Sequence, residues 1–109
     1  MAYSDPLADK IRIALAHVPN VEEKKMFGGI AFMVGGKMCL TVGIDRIMCR
    51  IDPGLHEKAV KRPGCRTVVM KGRPLKGYVY VHEDRLQSKP VLNYWIGLAL
   101  DFNKKIQER

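Results

Sequence analysis

Two glycine pairs, Gly28-Gly29 and Gly35-Gly36, bracket the five apolar residues Ile30-Ala31-Phe32-Met33-Val34, and a second apolar run from Met38 to Val42 follows directly. A segment this short between glycines cannot carry a helix of ordinary length, but it suits a strand. Gly35-Gly36 is moreover a hairpin signal, because a two-residue type I′ turn needs positive φ at both central positions and glycine takes that conformation without steric cost. The pattern therefore predicts antiparallel strands over 29–34 and 37–42. Period-two alternation sets Ile30, Phe32 and Val34 on one face with Met38, Leu40 and Val42, and sets Ala31, Met33, Cys39 and Thr41 on the other. With apolar residues on both faces, this sheet is expected to be covered on both sides.

Around the hairpin the remaining elements can be read in turn. Ser4-Asp5-Pro6 carries capping residues and a proline suited to the first helical turn, and Leu7, Ile11, Leu15 and Val18 then mark one helix face that ends near Pro19-Asn20. Ile13 lies off that stripe, so either the buried face is wide or a second surface, such as a partner chain, covers it. Residues 21–27 read as a strand, as do 47–51, where Ile47, Cys49 and Ile51 alternate with Met48 and Arg50. Asp52-Pro53-Gly54 opens a short helix through Leu55, Ala59 and Val60, and Arg62-Pro63-Gly64 closes it. A strand over 66–70, a basic loop over 71–76 and a strand over 77–82 follow, with Val79 and Val81 pointing one way and Tyr78 and Tyr80 the other. From Ser88-Lys89-Pro90 a last helix is apolar over much of its circumference, through Val91, Leu92, Trp95, Ile96, Leu98, Ala99, Leu100 and Phe102. The order predicts an α+β two-layer sandwich: an antiparallel sheet of about five to six strands, a short helix between strands, and N- and C-terminal helices packed on it. At 109 residues, one domain is expected over 1–109.

The charge is uneven. Of nineteen Lys and Arg, seven (Lys58, Lys61, Arg62, Arg66, Lys71, Arg73 and Lys76) fall in 58–76 with no acid among them, which leaves twelve against all eleven Asp and Glu elsewhere. The net charge of +8 is thus a local property. Solvated side chains around turns account for such a cluster, and so does an anion-facing patch. In the second reading Arg62, Arg66, Lys71, Arg73 and Lys76 contact phosphates, and Tyr78 and Tyr80 stack on unpaired bases. The alternative places the tyrosines under the last helix or on a dimer interface.

Catalytic chemistry has little support in the residues. His17, His56 and His82 have no His or Cys companion three or four positions away, and Cys39, Cys49 and Cys65 form no Cys-x-x-Cys pair, so surface histidines and core thiols are expected and no metal site. Cys65 is the one thiol to watch, because Arg62 and Arg66 flank it and nearby positive charge lowers a thiol pKa. The glycine pairs match neither a dinucleotide fingerprint nor a Walker loop, so no cofactor is expected. Asp45, Asp52, Glu57, Glu83 and Asp84 fall where caps and turns explain them. No apolar run approaches the roughly 20 residues that span a bilayer, no leader is visible, and three cysteines suit a reducing compartment; a cytoplasmic protein without membrane contact is expected.

The segment Lys25-Met26-Phe27-Gly28-Gly29-Ile30-Ala31-Phe32-Met33-Val34-Gly35-Gly36-Lys37-Met38, together with Gly72-Arg73-Pro74-Leu75-Lys76-Gly77-Tyr78-Val79-Tyr80-Val81 and Arg62-Pro63-Gly64, resembles the N-terminal domain of the TfoX/Sxy competence regulators over almost the whole chain. The resemblance implies that domain's α+β fold. It implies no catalytic residue, because the family has no catalytic motif to transfer. Members of the family carry a second, helical domain and are implicated in switching on DNA-uptake genes with the cyclic-AMP receptor protein; the 109 residues hold the counterpart of the first domain only. A regulatory or adaptor role through a protein partner or a homodimer is the expectation. Weak DNA or RNA binding by the basic patch is the first alternative, and a redox-sensitive protein or small enzyme using Cys65 the second.

Overall fold

A computed structural model describes residues 3–26 and 28–108. Helix α1 (Asp5–Ala14) begins where the sequence provides for it: the Ser4 hydroxyl accepts a hydrogen bond from the Leu7 amide at 3.3 Å, and Pro6 occupies the first turn. Six strands follow, β1 (Val21–Met26), β2 (Gly29–Val34), β3 (Lys37–Val42), β4 (Arg46–Arg50), β5 (Cys65–Met70) and β6 (Arg73–His82). A 3-10 turn (Pro53–Leu55) and the short helix α2 (His56–Ala59) separate β4 from β5, and α3 (Lys89–Gln107) closes the described chain. All strand pairs are antiparallel, in the order β1-β2-β3-β4-β6-β5. The expected end of the first strand at Phe27 lies outside the described residues.

The core follows from alternation. Ile30, Phe32 and Val34 of β2, Leu40 and Val42 of β3, Ile47 and Cys49 of β4, and Val79 and Val81 of β6 form one buried cluster with Leu7, Ile11 and Leu15 near α1 and with Leu92, Trp95, Ile96 and Ala99 of α3. Both long helices therefore lie on one face of the sheet, which gives two layers. Asn103 of α3 ties that layer to the glycine hairpin, donating from Nδ2 to the Val34 carbonyl at 3.1 Å and to the Lys37 carbonyl at 3.4 Å. In the hairpin itself Gly35 and Gly36 have φ of 61° and 81°, the left-handed values that a type I′ turn demands.

Four expectations are corrected, the fourth at His56. Cys39 does not face away from the helices: the register of β2 and β3 shifts between Phe32 and Met33, and this bulge turns Cys39 into the main core. No described helix covers the opposite face, although Ala31, Thr41 and Met48 are buried at its centre. The basic segment 71–76 is not a loop, because Lys71 and Gly72, with φ of 52° and 74°, make a two-residue turn and β6 starts at Arg73. Pro74 is tolerated there because β4 pairs β6 only from Tyr78 onward, so its missing amide breaks no bond on that side.

His56 is likewise no surface histidine. It is buried on α2, its Nδ1 accepts from the Gly77 amide at 2.9 Å, and its Nε2 lies 2.8 Å from the Thr67 hydroxyl. Accepting at Nδ1 leaves the proton on Nε2, which donates to Thr67. Gly77 sits where the β5–β6 register shifts, so this histidine pins the irregular stretch of β6 that precedes Tyr78 and Tyr80.

Candidate functional site

Strand pairing decides what the basic and aromatic residues can do together. Arg66 of β5 lies directly across from Tyr80 of β6, and Tyr80 lies across from Met48 of β4. Arg46 pairs with His82 and Arg50 with Tyr78, so Arg46, Met48, Tyr78, Tyr80 and Arg66 share the face turned away from the helices, whereas the Arg50 guanidinium also reaches to 5.7 Å from the ring centroid of Phe102 in α3. The Arg46 guanidinium carbon sits 3.6 Å from the Tyr80 ring centroid, and that of Arg50 5.7 Å from the Tyr78 centroid. Both tyrosines are half-buried.

The basic segment 58–76 does not converge as a unit. Arg66 joins Tyr80, whereas Arg62 turns to the helix layer and stacks on Tyr94 of α3 at 3.9 Å. Lys71, Arg73 and Lys76 stand exposed along the β5–β6 hairpin. In exchange the fold supplies Arg46 and Arg50, which lie outside the basic run. Their signal in the sequence was the alternation of β4: the parity that buries Ile47 and Cys49 sends Arg46 to the opposite face, and Arg50, at the end of the strand, reaches both Tyr78 and Phe102 of α3.

Two depressions flank the Arg46–Tyr80 stack. One, of about 310 Å³, is lined by Arg46, Gly64, Cys65, Arg66, Tyr80 and His82. The other, of about 230 Å³, reaches from Arg46 and Tyr80 over Thr41, Met48 and Met70 to the glycine edge at Gly28, Gly29 and Gly43. Asp45 and Asp84 approach His82, at 3.7 Å from Nε2 and 3.4 Å from Nδ1. Among the described residues no group of three or more His, Cys, Asp or Glu is arranged to hold a metal ion.

Cys65 sits as a core-side thiol despite the arginines that flank it in sequence. It is half-buried, faces Val81 and packs against the main core, and burial pushes its pKa up to about 11, outweighing the lowering by Arg62. Cys39 is raised in the same way, to about 12, and buried Cys49 well above its ordinary value. At pH 7 the thiolate fraction of a group with pKa 11 is about one in ten thousand. Labelling of folded Cys65 by a thiol reagent is therefore expected to be slow at pH 7 and to quicken about tenfold per pH unit up to pH 10. Fast labelling at pH 7, measured by mass spectrometry on the native protein, would refute the raised pKa.

A third depression lies in the helix layer. About 480 Å³ opens between α1 and the start of α3, with Ile13, Ala14, Leu86 and Leu92 forming its apolar surface and Lys10, His17 and Lys89 at its margin. Ile13 is 74% exposed there, so no partner among the described residues buries the off-stripe isoleucine.

A family model described as the TfoX N-terminal domain matches residues 14–103, from the end of α1 to Asn103. No curated protein and no solved structure matches the chain.

Proposed function

The chain belongs to the TfoX N-terminal domain family, and from that premise we propose that it is a non-enzymatic regulatory domain of the cytoplasm that acts by binding another protein. The observation that carries this reading is the groove between α1 and α3. A large aliphatic side chain, Ile13, stands at its mouth, and exposed apolar surface beside a concave wall is what a protein contact uses. Its charged margin is basic, from Lys10 and Lys89, with no carboxylate among the described residues that line it. The occupant it suits is an acidic amphipathic segment of a partner, whose apolar side covers Ile13 and Leu92 while its carboxylates meet the lysines. A second copy of the chain is the poorer occupant, since each protomer would bring the same lysines and a net charge of +8.

The non-enzymatic reading is supported by the state of the thiols. Burial raises the pKa of Cys65, Cys39 and Cys49, so each thiol stays protonated near neutral pH and is a poor nucleophile. No helix among the described residues is long and apolar enough to cross a membrane.

Ile13→Asp tests the groove. Because Ile13 is exposed, the variant is expected to melt like the native protein and to bind an acidic amphipathic helical peptide at least tenfold more weakly, since truncated or charged anchors at an apolar contact commonly lose more than about 1.4 kcal/mol. A fluorescence titration should also show that the same peptide with Glu replaced by Lys does not bind the native protein. Equal binding by both proteins, or by both peptides, refutes the reading.

A further inference from the structure

We propose that the sheet face opposite the helices carries a nucleotide-binding cleft, in which Arg46 and Arg66 hold a phosphate and the shelf of Met48 and Met70 carries the base. The inference is independent of the helix-layer groove and rests on four observations. First, the two cavities of about 310 and 230 Å³ share Arg46 and Tyr80, so they are neighbouring chambers on either side of one stacked pair. Second, at 3.6 Å from the ring centroid the planar guanidinium of Arg46 lies over the face of Tyr80, which fixes its orientation and leaves its N–H donors at the rim.

Third, neither Arg46 nor Arg66 has a carboxylate within 4.0 Å among the described residues. The carboxylates nearby, Asp45 and Asp84, approach His82 instead. Two guanidiniums lining one cavity without an internal anion match a phosphate, whose oxygens accept several charge-assisted hydrogen bonds at once. Fourth, the adjoining chamber is apolar at Met48 and Met70, offers the Thr41 hydroxyl, carries Asp45 in its wall, and is bordered by Gly28, Gly29 and Gly43, with open space beside Gly28. Soft thioether side chains below an open edge suit the face of a flat heteroaromatic ring.

The nucleotide can come from two sources: a free mononucleotide, or one unit of a single strand whose following phosphates run along exposed Lys71, Arg73 and Lys76 on the hairpin that carries Arg66. The test is a titration of the ¹⁵N-labelled protein at 20 and 200 mM salt with AMP, adenosine, inorganic phosphate and a single-stranded oligo-dA. AMP is expected to shift the signals of Arg46, Met48, Arg66 and Tyr80 and to bind more tightly than adenosine or phosphate alone. Arg66→Gln, an exposed position whose melting should match the native protein, is expected to weaken AMP about tenfold. Arg46→Lys, which keeps the charge but not the planar stack, is expected to weaken it by a similar factor. Tighter oligo-dA binding with a steeper salt dependence assigns the cleft to a strand, and AMP binding that the oligonucleotide does not exceed assigns it to a free nucleotide; both support the cleft. Absence of shifts around Tyr80 with every probe at 20 mM salt, or unchanged AMP binding by Arg66→Gln, overturns it.

Discussion

Trp95→Ala is expected to remove about 3–5 kcal/mol of stability, the largest loss available to any single truncation in this chain. Trp95 is 1% exposed and is the largest of the fully buried side chains. Its ring meets Tyr94 edge-on, with centroids 5.2 Å apart and an interplanar angle of 80°, and it stands between Leu92, Ile96 and Ala99 in the part of α3 that contributes to the main core. Deleting the indole leaves a void that β3 and β4, paired from Leu40 with Cys49 to Val42 with Ile47, cannot collapse to fill. Against the 5–15 kcal/mol that an ordinary domain possesses, the loss is a large fraction, and the melting temperature should fall by about 15 °C. Urea and thermal unfolding followed by circular dichroism measure it. A loss below about 1.5 kcal/mol would show that α3 is not held by this residue.

Gly29→Ala should come next, at about 2–4 kcal/mol, and for a different reason. A Cβ built on Gly29 would lie 2.1 Å from the Val42 carbonyl oxygen and 3.1 Å from its carbon. Those are backbone atoms of the neighbouring strand, so no rotamer change relieves the overlap and β2 and β3 must separate locally. Gly28 is the internal control. Its φ of 72° makes alanine strained, yet nothing lies within 4 Å of the added carbon, so Gly28→Ala should lose only about 1–2 kcal/mol. Urea melts of the two variants side by side separate steric crowding from backbone strain, and equal losses would refute the assignment of Gly29 to close packing. Gly29 also borders the chamber beside Tyr80, so the spacing that stabilises the sheet also shapes the proposed nucleotide edge.

Much of the fold was legible because its signals are local. A type I′ turn needs two residues that accept positive φ, and Gly35-Gly36 satisfies that wherever the chain goes. The Ser4 cap, the stripe of Leu7 and Ile11, and the alternation of Ile47 and Cys49 are decided within a few residues of themselves. The misread segment 71–76 shows the limit. Pro74 and Gly72 have the composition of a loop, yet two hairpin residues, Lys71 and Gly72, complete the turn and the rest extends a strand. Cys39 shows it again, since a bulge is a property of two strands in register and leaves no mark in the one that carries the extra residue.

The candidate sites were legible only in part, for the same reason. Alternation placed Tyr78 and Tyr80 together and opposite to Val79 and Val81, and composition marked 58–76 as basic. Neither could say that Arg62 turns to Tyr94 while Arg66 turns to Tyr80, because that depends on which side of the sheet each strand end reaches. Ile13 was visible as an outlier from its helix stripe, but the groove beside it needs α3 to arrive next to α1.

Residue order alone thus determined most of the strands, caps and turns, the parity of side chains along the regular stretches of each strand, and the family to which the pattern belongs, since each rests on backbone sterics and periodicity over a few neighbours. Tertiary structure decided the partners: Arg46 reaches Tyr80 only because β4 pairs with β6 across an inserted helix and strand, with Arg46 opposite His82. Register between distant strands is set by the summed burial of both faces and by turn geometry, quantities to which no single segment holds the answer.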